Sequence, residues 1–490
     1  MRWLREWSVR HAQALQRLYR TGARWAPALA PMARRVGGRR AAAAVLPFER
    51  AGKAAFFDCR MCGQCVLGET GMACPMNCAK RMRNGPCGGV RGDGGCEVHP
   101  DMRCVWLQAA DGRRSQGRAS AAPMLPPLDA RRQGQSTWLR VIHGDRGFED
   151  DGVLPSTGRT TSGDALPSAQ AAPTAAPSLS RLQAALADQR FAVTVEIAPP
   201  DSADPAALLA RAERFRGLAD AINITDGAGG NCHMSSVAAA AVLRAAGLEA
   251  VCQVGCRDRN RIALQGDVLG AAALGVRNVL CLTGDDVSQG DHPQARAVFD
   301  LDAVNLLHTL RTMRDAGQFA SGRPLEQPPA FFLGATANPF VPPYAGRVDN
   351  LERKIDAGAQ FVQTQFCFDL DRLRAFMDVV CARGLHHRAA ILVGVGTLSS
   401  ARALRWMAEH VPGVVVPDAV IRRMAEAADP RAEGQCQCVE MIHALQRVPG
   451  VRGVHLMGHR NEPTLARIIV ASGLRPDVRA SAIPVPFPSA

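Results

Sequence analysis

The sequence predicts an α/β protein in which a closed (β/α)8 barrel, a TIM barrel, follows a Cys-rich metal-binding domain and a disordered linker. From residue 180 onward, short apolar runs alternate eight times with Ala-, Leu- and Arg-rich runs typical of helices. Eight of the sixteen cysteines lie between residues 59 and 104, and the stretch after them is rich in Pro, Ala, Ser and Gly. We therefore expect an Arg-rich amphipathic tail (1–50), a Cys-rich domain (51–106), a linker (107–180) and the barrel domain (181–480).

The N-terminal tail holds most of the chain's positive charge. Residues 1–50 contain eleven Arg and two Glu, which is +9 of a net charge of +13. Because the rest of the chain is nearly balanced, we expect no nucleic-acid partner. Leu4, Trp7, Leu15 and Leu18 share one face at helical spacing, with Arg on the other faces. This pattern suits a helix packed on its own protein, a helix that docks on a partner, or an interfacial helix on an anionic membrane.

The chain contains no uninterrupted apolar run of 18 or more residues, so no transmembrane helix is expected. Its first 20 residues also lack the apolar core of a secretion signal. We therefore expect a cytoplasmic protein whose tail is its one candidate for peripheral membrane contact.

The clustered cysteines are predicted to bind metal. Without a secretion signal, such a cluster favours metal ligation over disulfides. The run Cys59, Cys62 and Cys65 followed by Cys74-Pro75 is similar to the ferredoxin pattern of a [4Fe–4S] cluster, although the gap before Cys74 is longer. Zinc held by four thiolates fits the ligand count equally well. The predicted ligands are Cys59, Cys62, Cys65, Cys74, Cys78, Cys87, Cys96 and Cys104.

The barrel is predicted from eight apolar runs. They lack strict alternation of apolar and polar residues, which is typical of parallel strands buried on both faces. Eight strand–helix units in about 290 residues favour a closed barrel. An open doubly wound sheet is the alternative. The predicted strands are Ala192–Ile197, Ala221–Thr225, Ala250–Val254, Asn278–Leu282, Ala330–Gly334, Phe361–Thr364, Ala390–Val393 and Gly453–Met457.

Polar residues and glycines follow the predicted strands, at the end where barrel chemistry takes place. The second strand is followed by Asp226, the fourth by Thr283-Gly-Asp285 and the eighth by Arg460. Because seven strands show this feature at the same end, the sequence predicts one site at the barrel mouth. No G-x-G-x-x-G motif opens a helix after a strand, so no separate dinucleotide site is expected.

Four motifs carry a resemblance to a known family. They are Val193–Pro200 (VTVEIAPP), Cys281–Asp285 (CLTGD), Leu351–Ala359 (LERKIDAGA) and Thr364–Asp369 (TQFCFD). In this order and spacing, the stretch 191–474 resembles the methylenetetrahydrofolate reductase family. The resemblance implies non-covalent FAD in the barrel mouth and hydride transfer from flavin N5. That reaction interconverts 5,10-methylenetetrahydrofolate and 5-methyltetrahydrofolate.

The resemblance also implies roles for four residues. Glu196 would be the acid that helps to open the five-membered folate ring at N10. Asp285 would act beside the flavin and hold the amino edge of the pterin, since a carboxylate can accept two parallel hydrogen bonds there. Gln365 would contact the pterin, and Arg460 the glutamyl side of the folate. Trp406 or Met407 is a candidate to cover the pterin.

An acid role for Glu196 requires a carboxyl group whose pKa is raised by apolar surroundings. Val195, Ile197 and Pro199 are the expected apolar neighbours. The structural alternative for Glu196 is a carboxylate held in a salt bridge at the barrel mouth.

Nine positions match the family's FAD contacts. Among them, Arg353 and Lys354 are expected to open the helix after strand five, where cations can meet the pyrophosphate. The alternative for these two is an exposed face, because Glu352 and Asp356 are adjacent. The nine positions are Thr225, Asp226, Gln253, Thr283, Gly284, Asp285, Asn350, Arg353 and Lys354.

The sequence departs from the family's pattern at four places. Relatives often have His at position 253, Arg at position 283, Tyr near Asn338 and His near Pro342. These differences concern the flavin contacts and the tuning of the flavin, and they do not concern the fold.

The cysteine block resembles a Cys-rich domain found beside, or fused to, methylenetetrahydrofolate reductases. The resemblance implies that it relays electrons to FAD or docks a redox partner. Expected partners are therefore the folate, NAD(P)H or an electron-donor protein, in an oligomer or hetero-complex. Two other functions remain open: a folate-linked module that binds or transfers methyl groups without redox activity, and an assembly subunit with a degenerate barrel.

Overall fold

Eight parallel strands close into a barrel in the computed structural model, which describes residues 2–36, 38–118, 122–143, 180–458 and 460–475. Each strand pairs in parallel with the next, and β8 pairs with β1 to close the sheet. This closure confirms the predicted (β/α)8 barrel and excludes the open sheet. The strands are β1 Ala192–Ile197, β2 Ala221–Ile224, β3 Ala250–Gly255, β4 Asn278–Leu282, β5 Phe332–Ala337, β6 Phe361–Phe366, β7 Ala390–Gly396 and β8 Val451–Met457.

The fifth strand was predicted two residues too early. It begins at Phe332 and continues through Ala335, Thr336 and Ala337. Small residues at its centre hid it, but the packing requires them, because a Cβ at Gly334 would lie 2.2 Å from the Phe361 ring. The strand therefore ends directly before Asn338, which lies at the barrel mouth.

The barrel interior changes from apolar to polar along its axis. At the amino-terminal end, Leu182 closes a fully buried layer that includes Phe361. Above it, Gln363 Nε2 donates to the Thr194 hydroxyl at 3.0 Å, and Asn223 Nδ2 donates to Gln363 Oε1 at 2.6 Å. These buried polar groups satisfy one another, which is what allows them inside the barrel. The polarity therefore rises toward the carboxyl ends of the strands.

The helices of the barrel domain pack their apolar faces against the outside of the strands. Each long helix buries leucine, isoleucine or valine at helical spacing. Capping side chains such as those of Asn260 and Asp302 accept hydrogen bonds from the first turns. The helices are α7 Arg181–Ala187, α8 Pro205–Ala212, α9 Ser236–Ala245, α10 Arg261–Ala273, α11 Ala303–Asp315, α12 Tyr344–Asp356, α13 Leu370–Ala382, α14 Ala401–His410, α15 Asp418–Glu426, α16 Pro430–Leu445 and α17 Glu462–Ala471.

The N-terminal part is helical on both sides of the Cys-rich coil. Its described residues form the helices α1 Arg2–Arg10, α2 Ala12–Trp25, α3 Ala30–Val36, α4 Gly38–Phe57, α5 Val105–Ser115 and α6 Thr137–Ile142. The coil between α4 and α5 contains turns and one short 3-10 helix, Pro75–Asn77. No helix in the described part of the chain is long and apolar enough to cross a membrane.

The predicted linker is partly structured, which corrects its boundary. Helix α5 buries Val105, Trp106 and Leu107 against the Cys-rich coil. Helix α6 is a second ordered element within the predicted linker. Average composition hid α5, because its apolar residues are diluted by Gly and Arg. Of the predicted linker, residues 119–121 and 144–179 lie outside the described residues.

The Cys-rich coil binds the barrel through a short stretch of its own backbone, residues 83–88, which we call the docking segment. The Asp302 carboxylate accepts the backbone N–H groups of Arg83 and Asn84 at 2.9 and 2.7 Å. The amide of Asn338 donates to the carbonyl of Gly88 at 2.7 Å. Since Asn338 follows β5 and Asp302 caps α11, the docking segment lies over the carboxyl ends of β4 and β5.

Candidate active site

Three polar side chains converge on the mouth of the barrel around Glu196. Gln253 Nε2 donates to Glu196 Oε2 at 3.0 Å, and His455 Nε2 lies 3.7 Å from the same oxygen. The Thr194 hydroxyl lies 2.9 Å from His455 Nδ1. When Thr194 donates to Nδ1, the ring proton is on Nε2 and points toward Glu196. The side chain of Glu196 remains 28% exposed, so a ligand can reach it.

The surroundings of Glu196 are not those that the sequence predicted. Burial raises the pKa of the Glu196 carboxyl, but the interaction with His455 and the hydrogen bond from Gln253 lower it more, so the pKa lies below the ordinary value. Val195 and Ile197 belong to the core between strands and helices. Side chains alternate along a strand, so the direct neighbours of Glu196 in sequence lie on the other face. The expected apolar surroundings were therefore wrong.

The loop after β4 presents Asp285 to solvent. Asp285 Oδ2 accepts the backbone N–H of Gly229, from the loop after β2, at 2.9 Å. Gly284 adopts φ of +95°, a conformation that favours glycine. The Thr283 hydroxyl accepts the N–H of Ala303 at 3.3 Å. The loops after β2 and β4 are thus joined beside the barrel mouth.

In the loop after β2, Thr225 and Asp226 differ in their contacts. The buried Thr225 hydroxyl has no hydrogen-bond partner among the described residues. The Asp226 carboxylate accepts the N–H of Gly255 at 2.8 Å and pairs with Arg259. An unsatisfied buried hydroxyl at the carboxyl end of β2 is consistent with a polar ligand there.

Gln365, the penultimate residue of β6, and Arg460, after β8, also lie at this end of the barrel. Gln365 is half-buried, and its Oε1 accepts the N–H of Phe366 at 3.0 Å. Arg460 is exposed with φ of +49°. Beside the carboxyl ends of β6 and β7 lies a cavity of about 390 Å³, lined by Phe368, Thr397 and Arg423 among others. Trp406, one candidate cover for the pterin, is 57% exposed.

Three of the predicted FAD residues, Asn350, Arg353 and Lys354, donate hydrogen bonds to backbone carbonyls. Arg353 and Lys354 lie in the last turn of α12, not in its first turn as expected. Arg353 donates to the carbonyl of Gly85 at 2.8 Å, and Asn350 donates to that of Asn84 at 3.2 Å. Lys354 donates to the carbonyl of Thr336 at 2.6 Å. Asn350 and Arg353 therefore bind the docking segment in this structure.

The eight cysteines divide into two groups of four. Each group lines its own cavity within the Cys-rich coil. We call Cys59, Cys62, Cys65 and Cys74 the outer tetrad, and Cys78, Cys87, Cys96 and Cys104 the inner tetrad. Burial raises the pKa of the Cys78 thiol to about 12, so without a bound cation it stays protonated.

The inner tetrad adjoins the barrel mouth. Lys80 donates to the carbonyl of Gly284, in the loop after β4, at 2.7 Å, and pairs with Glu97. Arg347 of α12 donates to the carbonyl of Cys87 at 2.7 Å. The side chain of Lys80 and the backbone of Cys87 thus connect the inner tetrad to the barrel.

Buried cations surround both tetrads. Arg83 is 3% exposed and lines the outer cavity, and its Nη1 and Nη2 have no hydrogen-bond partner among the described residues. Near the inner tetrad, Arg347 is 5% exposed and donates to backbone carbonyls. Burial, and next the charge of Arg347, lower the pKa of Lys354 to about 8. Buried positive charge is costly unless an anion faces it.

The sequence did not single out several of these residues. His455 is a lone histidine in an apolar strand, and its alternation places it inside the barrel. Arg259, Lys80 and Arg347 each resemble surface cations until their partners are known. Only for His455 did the sequence contain a usable signal.

A closed (β/α)8 barrel with its polar groups at the carboxyl ends of the strands defines this protein as a barrel enzyme by fold and site. Residues 181–473 match the family model described as methylenetetrahydrofolate reductase, and residues 40–130 match the one described as methylene-tetrahydrofolate reductase C terminal. The chain belongs to the methylenetetrahydrofolate reductase family, which is a family of oxidoreductases. The region described as C-terminal precedes the barrel in this chain.

Individual relatives are distant. The chain is 27% identical over 248 residues to the 5,10-methylenetetrahydrofolate reductase of Pectobacterium carotovorum subsp. carotovorum, across 47% of this chain and 72% of that one. It is 26% identical over 239 residues to the Salmonella typhimurium enzyme of the same name, across 47% and 72%. A solved Clostridium thermocellum protein, titled as binding two copies of 5-methyl-5,6,7,8-tetrahydrofolic acid, is 13% identical across 59% and 97%, with a TM-score of 0.42.

Proposed function

We propose that the protein interconverts 5,10-methylenetetrahydrofolate and 5-methyltetrahydrofolate with FAD. When bound, FAD supplies the hydride that is transferred between its N5 and the one-carbon group of the folate. The observation that carries this proposal is the contact of Glu196 with Gln253 and His455 at the mouth of a barrel that belongs to this family. The substrate and the flavin would meet at this mouth.

Glu196 would deliver the proton that opens the folate ring at N10. Its lowered pKa means that the carboxylate is ionised at neutral pH before a ligand binds. A doubly protonated His455 would supply the missing proton from Nε2, which faces Glu196, and would keep the proton on Nδ1, which then donates to the Thr194 hydroxyl. A folate that displaces water from the mouth would favour the protonated carboxyl. Glu196 and His455 would thus work as a pair.

Six of the predicted flavin residues remain at the mouth, and we propose that they hold FAD. The unsatisfied Thr225 hydroxyl and the loop Thr283-Gly-Asp285 line the side formed by β2 and β4. Gln365 and Arg460 would hold the pterin and the glutamyl side of the folate. The electron donor would be NAD(P)H or a donor protein, the latter in a hetero-complex.

We propose that the two tetrads hold metal centres. Four thiolates around one centre form an anion, which would balance Arg83 at the outer tetrad and Arg347 at the inner tetrad. Among the described residues, no three His, Cys, Asp or Glu side chains are grouped to hold a single metal ion. We propose a [4Fe–4S] cluster at these tetrads, with zinc as the alternative.

We propose that the inner tetrad serves the barrel. Its neighbour Lys80 contacts the loop after β4. The docking segment begins at Arg83, beside the outer cavity, and passes Cys87 of the inner tetrad. This position suits a relay of electrons to FAD, or a rigid support for a redox partner. Clustered thiols of this kind need a reducing compartment, so we propose a cytoplasmic location.

The test of the proposal is Glu196→Gln. We expect at least a hundredfold loss of kcat, because the amide cannot deliver the proton, while the FAD content stays unchanged. Glu213→Gln, an exposed carboxylate paired with Arg216, is the control and should keep full activity. Undiminished activity in Glu196→Gln would refute the acid role. Purified protein that binds no FAD would refute the redox function and favour a module that only binds or transfers methyl groups.

A further inference from the structure

Helices α2 and α3 form one helical rod whose buried side is made of alanine. A 3-10 turn, Ala26–Leu29, joins them, and the backbone stays right-handed at Trp25, Ala26 and Ala30. Ala26, Ala30 and Ala33 are buried against Val141 and Ile142 of α6. Side chains this small let the rod lie close to the rest of the protein on one side. Most of the remaining surface of the rod, which we call its free side, is exposed in the described structure.

A row of large apolar side chains lies on the free side. Leu18 is 70% exposed, Trp25 73%, Leu29 48%, Met32 61% and Val36 46%. Their spacing of seven, four, three and four residues is that of one helical stripe. Soluble proteins rarely expose such a continuous apolar row without a partner. We call these five residues the apolar stripe.

Arginines flank the apolar stripe, and no acid lies near it in sequence. Residues 7–48 contain eight Arg and no Asp, Glu or Lys. Arg17, Arg24 and Arg35 each precede a member of the stripe by one residue, which places them beside it around the helix. All three are exposed, and no ion pair holds them in the described structure. The free side of the rod is therefore both apolar and strongly cationic.

We propose that this side binds an anionic lipid surface, with the rod lying in the plane of the interface. Trp, Leu and Met would enter the boundary between headgroups and acyl chains, while the arginines contact lipid phosphates. A second copy of the chain is a poor occupant, because it would bring two arginine rows together with no acid between them. A convex ridge also offers no groove for an acidic peptide, whereas a bilayer is flat and deformable.

The test is flotation of the full-length chain with vesicles. Vesicles of 70% phosphatidylcholine and 30% phosphatidylglycerol should bind the protein, pure phosphatidylcholine should bind it at least tenfold less, and 0.5 M NaCl should weaken the binding. Trp25→Ser with Met32→Ser, and separately Arg17→Gln with Arg24→Gln and Arg35→Gln, should each lower binding at least tenfold. Circular dichroism should stay unchanged, which shows that the variants fold.

The matched control is Ile262→Ser with Leu274→Ser, which removes two apolar side chains exposed on the barrel domain. This variant should bind vesicles as the unaltered chain does. Three results would each overturn the proposal: no binding to anionic vesicles, equal binding to neutral ones, or a concentration-dependent dimer that Trp25→Ser abolishes. Neither supporting nor contrary results depend on the reductase activity, since the rod lies outside the barrel.

Discussion

Glu196 shows how a single residue's role depends on the side chains that neighbouring strands bring next to it. Its neighbours in sequence are apolar, but its contacts come from β3 and β8. Because Gln253 and His455 stabilise the ionised form, the free protein holds a carboxylate where the proposed reaction needs an acid. The proton must therefore be taken up by the pair of Glu196 and His455 together.

A prediction follows for His455→Phe. Removing the imidazole takes away the interaction that lowers the pKa of Glu196, so that pKa should rise. An acid is active while protonated, so activity falls as pH rises through its pKa. In the variant this fall should move to higher pH, because the ionised form of Glu196 loses an interaction that stabilises it.

The measurement is the pH profile of kcat/KM. His443→Phe is the control, since His443 lies on α16 and contacts the carbonyl of Ser472. Its profile should match that of the unaltered protein. If the fall in kcat/KM with rising pH stays at the same pH in His455→Phe, His455 does not set the protonation of Glu196.

Helix α12 is the element whose role changed most between sequence and structure. Its motif, Leu-Glu-Arg-Lys, is among the pieces that identify the family. In this chain, however, Arg347, Asn350 and Arg353 donate to the carbonyls of the docking segment. The helix therefore joins the barrel to the Cys-rich coil.

We expect Arg353→Met to weaken that junction. The lost hydrogen bond leaves the carbonyl of Gly85 unsatisfied, which should lower the free energy of unfolding by about 1–3 kcal/mol. FAD affinity should stay unchanged, because Arg353 faces the docking segment. Denaturant unfolding and a flavin titration measure the two effects.

Asp356→Asn is the control in the same helix. Its exposed pair with Arg388 should contribute less than about 1 kcal/mol. A large loss of FAD from Arg353→Met at unchanged stability would return Arg353 to the flavin site that the family pattern implies.

At the scale of the whole molecule, buried cations lie beside both groups of cysteines. The Cys-rich coil has few regular elements, and its thiols line two separate cavities. The cations around them come from both halves of the chain, since Lys80 and Arg83 belong to the coil and Arg347 to the barrel. The two regions therefore interact through charge as well as through packing.

The division into tetrads predicts two independent metal centres. Cys74→Ala and Cys87→Ala should each halve the metal content per chain, because each removes one ligand of a different tetrad. Cys381→Ala, a cysteine of α13 outside both tetrads, should leave the metal content unchanged. Iron and zinc analysis of anaerobically purified protein is the measurement, and loss of all metal from one single variant would contradict two separate centres.

The sequence by itself determined the barrel, its eight strands within a few residues and the family. These depend on local patterns, such as apolar runs, strand ends and spacing, which the chain carries in order. Tertiary structure alone decided that Glu196 faces His455, that α12 binds the docking segment, and that eight cysteines form two tetrads. Each of these depends on contacts between residues far apart in sequence, and the strength of a charge or hydrogen bond is set by distance in space and by burial.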